Sequence, residues 1–222
     1  MTSSAQVSGR IRAGAAVMSV VLVLLAATLA MLLGVAEAGA ALLGVLGWLV
    51  ALAARLPALA SAGRLRDPGR SRTILAAALA VTDEVVRLAL VLIVVSGHAS
   101  ALWAGFGWAL AELVFVVATH LAQFSWPIGR EAADQLRSEG GFISTHPAHS
   151  GVRGIAATTF HLGATLLLTM GPWWVLVTAS AHVAVNLAFA RWARRRLVPV
   201  QLFSALVSVA LLAAGLVASG LR

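Results

Sequence analysis

The stretch TILAAALAVTDEVVRLALVLIVVS, residues 73–96, is long enough to cross a bilayer and carries three charged residues at its centre. The residues on both sides of Asp83, Glu84 and Arg87 are almost entirely apolar. About 20 apolar residues suffice for a helix to span the hydrocarbon, and only a helix satisfies its own backbone hydrogen bonds there. A lipid-exposed charge at this depth costs roughly 2.5 kcal/mol or more. We therefore expect these three side chains to face a protein interior or a water-filled cavity.

The composition of the whole chain is that of an integral membrane protein. Its 222 residues are 60% hydrophobic and only 11% charged, with a mean hydropathy of +0.95. Soluble domains carry about 25% charged residues and disordered chains have low hydrophobicity, so both classes are excluded. No cysteine occurs, which excludes disulfides and thiolate metal sites. All 16 basic residues are arginine, a bias typical of a GC-rich bacterial genome.

Seven apolar segments predict an all-α, polytopic fold with about seven transmembrane helices in one domain, residues 1–222. The longest connection, residues 125–153, is predicted to be a cytoplasmic loop with a surface helix at 130–138. Pro147 is expected to break any helix in this loop. The seven segments cover residues 14–35, 39–62, 73–96, 99–124, 154–170, 172–190 and 197–220.

Arginine occurs in alternate connections between the segments. By the positive-inside rule, this pattern predicts a multi-pass plasma-membrane protein with a cytoplasmic N-terminus and an external C-terminus. Because the arginines lie between hydrophobic runs, the lipid bilayer and not a nucleic acid is the expected partner. Arg55, inside the second segment, is predicted to extend to the cytoplasmic side. The arginines of the alternate connections are Arg64, Arg66, Arg70, Arg72, Arg130, Arg137, Arg153, Arg191, Arg194, Arg195 and Arg196.

Polar residues recur near the middle of the third to sixth segments, which predicts a polar core within residues 73–190. The spacing of i,i+3 and i,i+4 lets Arg87 reach either Glu84 or Asp83. His182 and Asn186 share a helix face through the same i,i+4 spacing. The candidate site residues are Asp83, Glu84, Arg87, Glu112, His161, His182 and Asn186.

These residue types suit the hydrolysis of a substrate by water. A carboxylate can deprotonate water, a histidine can position it, and an asparagine can donate to an oxyanion. Glu112, His161 and His182 could equally hold a Zn²⁺ ion with one open water position. The sequence leaves open whether zinc or no cofactor is used.

Four short motifs in this order resemble a known superfamily. They are TDEVVR at 82–87, GFGWALAE at 105–112, TFHLG at 159–163 and HVAVN at 182–186. The pattern is similar to that of the CAAX-protease and bacteriocin-processing (CPBP) intramembrane proteases, in particular the YhfC-type and PrsW-type branches. The resemblance covers roughly half of the chain, and it implies a hydrolase whose substrate is a membrane-embedded or membrane-adjacent peptide.

The resemblance also implies a role for each motif. Asp83 or Glu84 would activate water, although Asp83 stands where the family has its first glutamate. Glu112 and His161 would act beside that water. Arg87 corresponds to the basic residue that follows the carboxylate pair in the family. His182 would complete the water or metal site, and Asn186 would stabilise the oxyanion.

Two other functions use the same residues. A proton-coupled small transporter or channel could employ the buried Asp, Glu, His and Arg side chains as a relay. A non-catalytic scaffold descended from proteases is the third possibility. Transporters often show inverted repeats and helices broken by proline or glycine. No repeat is evident, and no proline lies in the third or fourth segment, which favours the peptidase.

Overall fold

The protein is a bundle of long helices. The computed structural model describes residues 4–62, 64, 67–125 and 146–220. All regular secondary structure within these residues is helical, which confirms the predicted all-α class. A 3-10 turn, Pro172–Trp174, precedes the seventh helix. The helices are α1 (Ser4–Leu33), α2 (Ala40–Ala54), α3 (Leu56–Ala62), α4 (Pro68–Val94), α5 (Gly97–Ser125), α6 (Pro147–Leu168), α7 (Val175–Trp192) and α8 (Leu197–Ser219).

The outer surface of the bundle is apolar. Met31, Ile93 and Val217 are about four-fifths exposed, and many other large apolar side chains are exposed beside them. Soluble monomers rarely present so much contiguous apolar surface, whereas lipid solvates it. Five described helical stretches are long and apolar enough to cross a membrane, as expected for a multi-pass membrane protein. They are Arg12–Leu33, Ala40–Ser61, Gly97–Thr119, Pro172–Trp192 and Leu197–Ser219.

The helices α4 and α6 have spanning length but more polar sequences. Within α6, every residue from 160 to 168 is buried. This helix packs against α1, α4, α5 and α8, so it occupies the centre of the bundle. This buried half contacts protein and not lipid, and small and polar residues are therefore tolerated along it. The predicted number of seven transmembrane helices stays a prediction.

Glycines allow the central helices to approach closely. A Cβ atom on Gly107 of α5 would lie 1.9 Å from the carbonyl oxygen of Ala41 in α2. A Cβ on Gly105 would lie 2.7 Å from the carbonyl oxygen of His161 in α6. A larger residue at either position would push the helices apart. The close approach at Gly105 brings the polar residues of α5 and α6 within hydrogen-bonding distance.

The N-terminus of α6 differs from the sequence prediction. The helix begins at Pro147, so the expectation that this proline breaks a helix is wrong. The first position of a helix needs no N–H donor, and proline is well suited to it. His146 is the N-cap, and its Nδ1 atom accepts a hydrogen bond from the N–H of Ala148 at 3.3 Å. Residues 126–145, with the predicted surface helix at 130–138, lie outside the described residues.

The second predicted segment consists of two helices. Arg55 separates α2 from α3. Pro57 is the second residue of α3, and a proline at that point cannot donate the hydrogen bond that would continue α2. The interruption leaves Arg55 beside α4, where its side chain finds a partner described below.

Candidate functional site

Five of the predicted site residues meet in the interior of the bundle, and we call them the Arg87 cluster. Glu84 and Arg87 come from α4, Glu112 from α5, His161 from α6 and His182 from α7. Glu84 and Arg87 have no exposed surface, and the two histidines are also buried. The Glu112 side chain keeps 24% of its surface exposed, so the cluster is accessible at that residue.

Arg87 lies at the centre of this cluster. Its Nη2 atom is 2.7 Å from Nδ1 of His161. Its Nη1 atom donates to the hydroxyl of Thr165 at 3.1 Å and to the carbonyl oxygen of His161 at 3.4 Å. The guanidinium also stacks over the Trp108 ring, with Cζ 4.3 Å from the ring centroid. These contacts hold the charge in one position between α5 and α6.

The contact with Arg87 determines the tautomer of His161. A guanidinium has donors and no acceptor, so Nδ1 of His161 must accept the hydrogen bond. The ring proton of a neutral His161 therefore resides on Nε2. That atom lies 3.0 Å from Oε2 of Glu112, a carboxylate that accepts the hydrogen bond. Both ring nitrogens of His161 are thus committed to partners inside the cluster.

Glu84 and His182 form the second carboxylate–imidazole pair. Oε1 of Glu84 lies 2.9 Å from Nδ1 of His182. Oε2 of the same carboxylate is 3.3 Å from Nε of Arg87, an ion pair without the alignment of a hydrogen bond. Because the carboxylate accepts, Nδ1 of His182 carries a proton. Nε2 of His182 makes no hydrogen bond to the described residues, and in the neutral ring its lone pair is available.

Asp83 belongs to a different ion pair. Its two carboxylate oxygens accept hydrogen bonds from Nε of Arg55, at 2.9 Å, and from Nη2 of Arg55. Adjacent residues on a helix point about 100° apart, so Asp83 faces α2 while Glu84 faces α6 and α7. The prediction that Arg55 extends to the cytoplasmic side is wrong, because Asp83 holds it inside the bundle. Of the two carboxylates within the predicted reach of Arg87, only Glu84 contacts it.

Asn186 also lies apart from the Arg87 cluster. Its side-chain amide donates to the carbonyl oxygen of Ala76 at 3.3 Å. Ala76 lies two turns before Glu84 on α4, so this hydrogen bond connects α7 to α4 away from the cluster. The shared helix face with His182 does not bring both side chains to one point.

The predicted zinc ligands are not arranged to bind a metal ion. No group of three or more His, Asp or Glu side chains could hold a metal among the residues that the structure describes. A zinc ligand must present a free nitrogen lone pair, and Nε2 of His161 carries the proton that it donates to Glu112. The other nitrogen of His161 faces the positive charge of Arg87. The donor set of Glu112, His161 and His182 does not fit zinc as it stands.

Two partners of the cluster, Thr165 and Trp108, were not among the predicted site residues. Thr165 follows His161 by four residues, so both side chains lie on one face of α6, and this spacing could have identified it. Trp108 precedes Glu112 by four residues on α5 in the same way. A buried tryptophan within one turn of a buried carboxylate suggests a cation–π partner for a nearby arginine.

Comparisons with protein-family models, with curated proteins and with solved structures found no match. The four motifs and the geometry of the residues within them are therefore the basis for a functional proposal.

Proposed function

We propose that the protein is an intramembrane peptidase of the CPBP type, which hydrolyses a peptide bond in or near the membrane. The observation that supports this proposal is the pair of Glu84 and His182, whose atoms Oε1 and Nδ1 are 2.9 Å apart in a site without solvent exposure at the carboxylate. A carboxylate that orients an imidazole and leaves its other nitrogen free is the usual arrangement of a general base.

In the proposed mechanism His182 is the base. Its Nε2 atom takes a proton from water while the water oxygen attacks the carbonyl carbon of the peptide. Glu84 stabilises the resulting imidazolium through the Nδ1–H hydrogen bond. The tetrahedral intermediate then expels the amine, which takes the proton back from Nε2 as the carbon–nitrogen bond breaks. No metal is needed for this sequence of steps.

Glu112 and His161 complete the site in this proposal. The rings of His161 and His182 have centroids 6.2 Å apart, so the two pairs border one small region. Glu112 accepts from His161 through Oε2, and its side chain is the most exposed of the cluster. Its second oxygen can accept a hydrogen bond from the attacking water and orient it. Arg87 positions both pairs, because it contacts Glu84 and His161 together.

The residues argue against the use of this cluster as a proton relay. A relay through all five residues would have to pass from the His161 pair to the Glu84 pair through Arg87. A guanidinium keeps its proton in proteins, so Arg87 interrupts such a path. We therefore keep the transporter and the non-catalytic scaffold as alternatives that the experiment below can distinguish from the peptidase.

We also propose that all seven long apolar segments span the plasma membrane. The stretches that qualify by composition account for five of them. The helices α4 and α6 would be the other two, since Glu84, Arg87 and His161 are partnered within the Arg87 cluster and Asp83 is paired with Arg55. The arginine distribution then places the N-terminus in the cytoplasm and the C-terminus outside.

The test of the peptidase is a comparison of membrane peptides from cells that express the protein or its His182→Gln variant in ¹⁸O-labelled water. Hydrolysis incorporates ¹⁸O into each new C-terminus. We expect labelled termini within or near transmembrane segments only with the unaltered protein and with His98→Gln, the matched histidine control at the start of α5. Equal labelling with His182→Gln would reject the peptidase, and loss of a proton or solute flux instead would favour a transporter.

A further inference from the structure

We propose that a cavity between α7 and α8 binds an anionic phospholipid, with its phosphate at three arginines and one acyl chain between the helices. The cavity has a volume of about 740 Å³. Arg191, Arg195 and Arg196 line it at the connection between the two helices. Ala184 and Phe203 line it up to two turns further along α7 and α8. The cavity is therefore charged at the connection and apolar along the helices.

Among the described residues, no carboxylate neutralises the three arginines. Arg191, Arg195 and Arg196 are exposed, and none forms an ion pair within the part of the chain that the structure describes. Such a concentration of unpaired guanidinium groups around one cavity attracts an anion, and guanidinium matches the geometry of phosphate well.

The first turn of α8 adds to this positive potential. Arg196 is the N-cap residue of α8, and its side chain makes no capping hydrogen bond. The N–H groups of Leu197 and Val198 lie in the first turn, where a helix offers no internal acceptor. Unpaired N–H groups and the helix dipole both favour a phosphate at this position.

The remaining walls of the cavity match a hydrocarbon chain. Leu187 and Val200 line it, and neither carries a polar side-chain atom. Phe203 and Trp192 are 40% and 56% exposed, so two aromatic rings border the cavity at the protein surface. Tryptophan is enriched at the level of lipid headgroups, which is where the arginines would meet a phosphate.

A lipid accounts for these features better than free phosphate. Free phosphate would use the arginines and leave the apolar walls in contact with water. The arginine pattern assigns this end of α7 to the cytoplasmic side, where anionic lipids are concentrated. No residue of the Arg87 cluster lines the cavity, so the inference does not depend on the proposed peptidase.

The test titrates the purified full-length protein in detergent with dioleoylphosphatidylglycerol and counts bound lipids by native mass spectrometry. The triple variant Arg191→Gln, Arg195→Gln and Arg196→Gln should bind more weakly, by roughly fivefold per arginine and about a hundredfold in all. Arg194→Gln is the matched single control, because Arg194 lies in the same run but does not line the cavity. We expect Arg194→Gln to change the affinity less than twofold, because an exposed charge outside the cavity acts on the lipid only through screened electrostatic attraction.

A second triple variant removes the same charge elsewhere. Arg12, Arg64 and Arg70 are exposed arginines outside the cavity, and their replacement by glutamine should leave the tight binding event intact. Ala184→Trp fills the apolar part without removing charge, and it should weaken binding of the phospholipid by at least roughly tenfold. Ala184 is exposed, so this change leaves the core unaltered.

Three outcomes would overturn the proposal. Equal losses in both triple variants would mean that lipid is attracted only by net charge. Competition by inorganic phosphate as effective as that by the lipid would mean an anion site without an acyl chain. Equal binding of dioleoylphosphatidylcholine would mean that the anionic headgroup is not recognised.

Discussion

Nη2 of Arg87 lies 2.7 Å from Nδ1 of His161, and both side chains are excluded from solvent. This contact joins two carboxylate–imidazole pairs that would otherwise be separate. The guanidinium supplies one positive charge between the carboxylates of Glu84 and Glu112. A buried carboxylate without such a partner is strongly destabilising, so the cluster acts as a unit in the fold.

Arg87→Met should therefore destabilise the protein by about 3 kcal/mol or more, because it leaves Glu84 charged and buried without a counter-ion. Thermal unfolding in detergent measures the effect. The double variant Glu84→Gln with Arg87→Met should be less destabilised than the sum of the two single variants. The control is Arg70→Gln, an exposed residue whose replacement should change stability by about 0.5 kcal/mol or less. Strict additivity would contradict the ion pair.

Histidine ¹⁵N spectra of the detergent-solubilised protein should show His161 as a neutral ring with its proton on Nε2. The reason is that Arg87 can only donate to Nδ1. In Arg87→Gln the side chain can donate or accept, so the preference for this tautomer should weaken. A signal from the Nδ1–H tautomer of His161 in the unaltered protein would contradict the arrangement.

The proposed base predicts a sharp division among variants. Glu84→Gln and His182→Ala should each reduce peptide cleavage by roughly 10² to 10⁴-fold, the contribution typical of a general base. Glu37→Gln is the matched control, because Glu37 is exposed in the connection before α2. A labelled-terminus assay measures the rates. Normal cleavage by a folded His182→Ala variant would exclude His182 as the base.

Asp83 should behave differently from Glu84 in the same assay. Asp83→Asn loses the ion pair with Arg55 but leaves the Arg87 cluster in place. We expect cleavage within about threefold of the unaltered protein and a stability loss of about 1 to 3 kcal/mol. Arg55→Gln should have the same effect, and the two changes together should be less than additive. Loss of cleavage in a stably folded Asp83→Asn variant would contradict this separation and show that Asp83 takes part in catalysis.

Close helix packing predicts the effect of enlarging one glycine. A Cβ on Gly107 would lie 1.9 Å from the backbone oxygen of Ala41, so Gly107→Ala requires α2 and α5 to separate. We expect a loss of about 3 kcal/mol of stability. Gly39→Ala is the matched control, because no atom of the described residues lies within 4 Å of a Cβ at that position. Equal melting temperatures for the two variants would contradict the packing.

Much of the helical framework could be predicted from the sequence, because long apolar runs leave a chain in lipid no alternative to helix. The prediction failed at Pro147 and at Arg55, where the outcome depends on local position. Proline stops a helix in its interior but suits its first residue. An arginine near a helix end extends to water unless a carboxylate of another helix is within reach, as Asp83 is.

By itself, the sequence determined the helical class, the apolar surface and the identity of the polar residues, since these follow from composition and spacing along one chain. Only the tertiary structure decided which polar residues are partners. Asp83 and Glu84 are adjacent in sequence, yet the rotation of about 100° per helical residue directs one to Arg55 and the other to His182. Asn186 shares a face of α7 with His182 but lies one turn further along the helix, and its side chain donates to the carbonyl oxygen of Ala76. Partner choice depends on which neighbouring helices approach closely, and small residues such as Gly107 determine that approach.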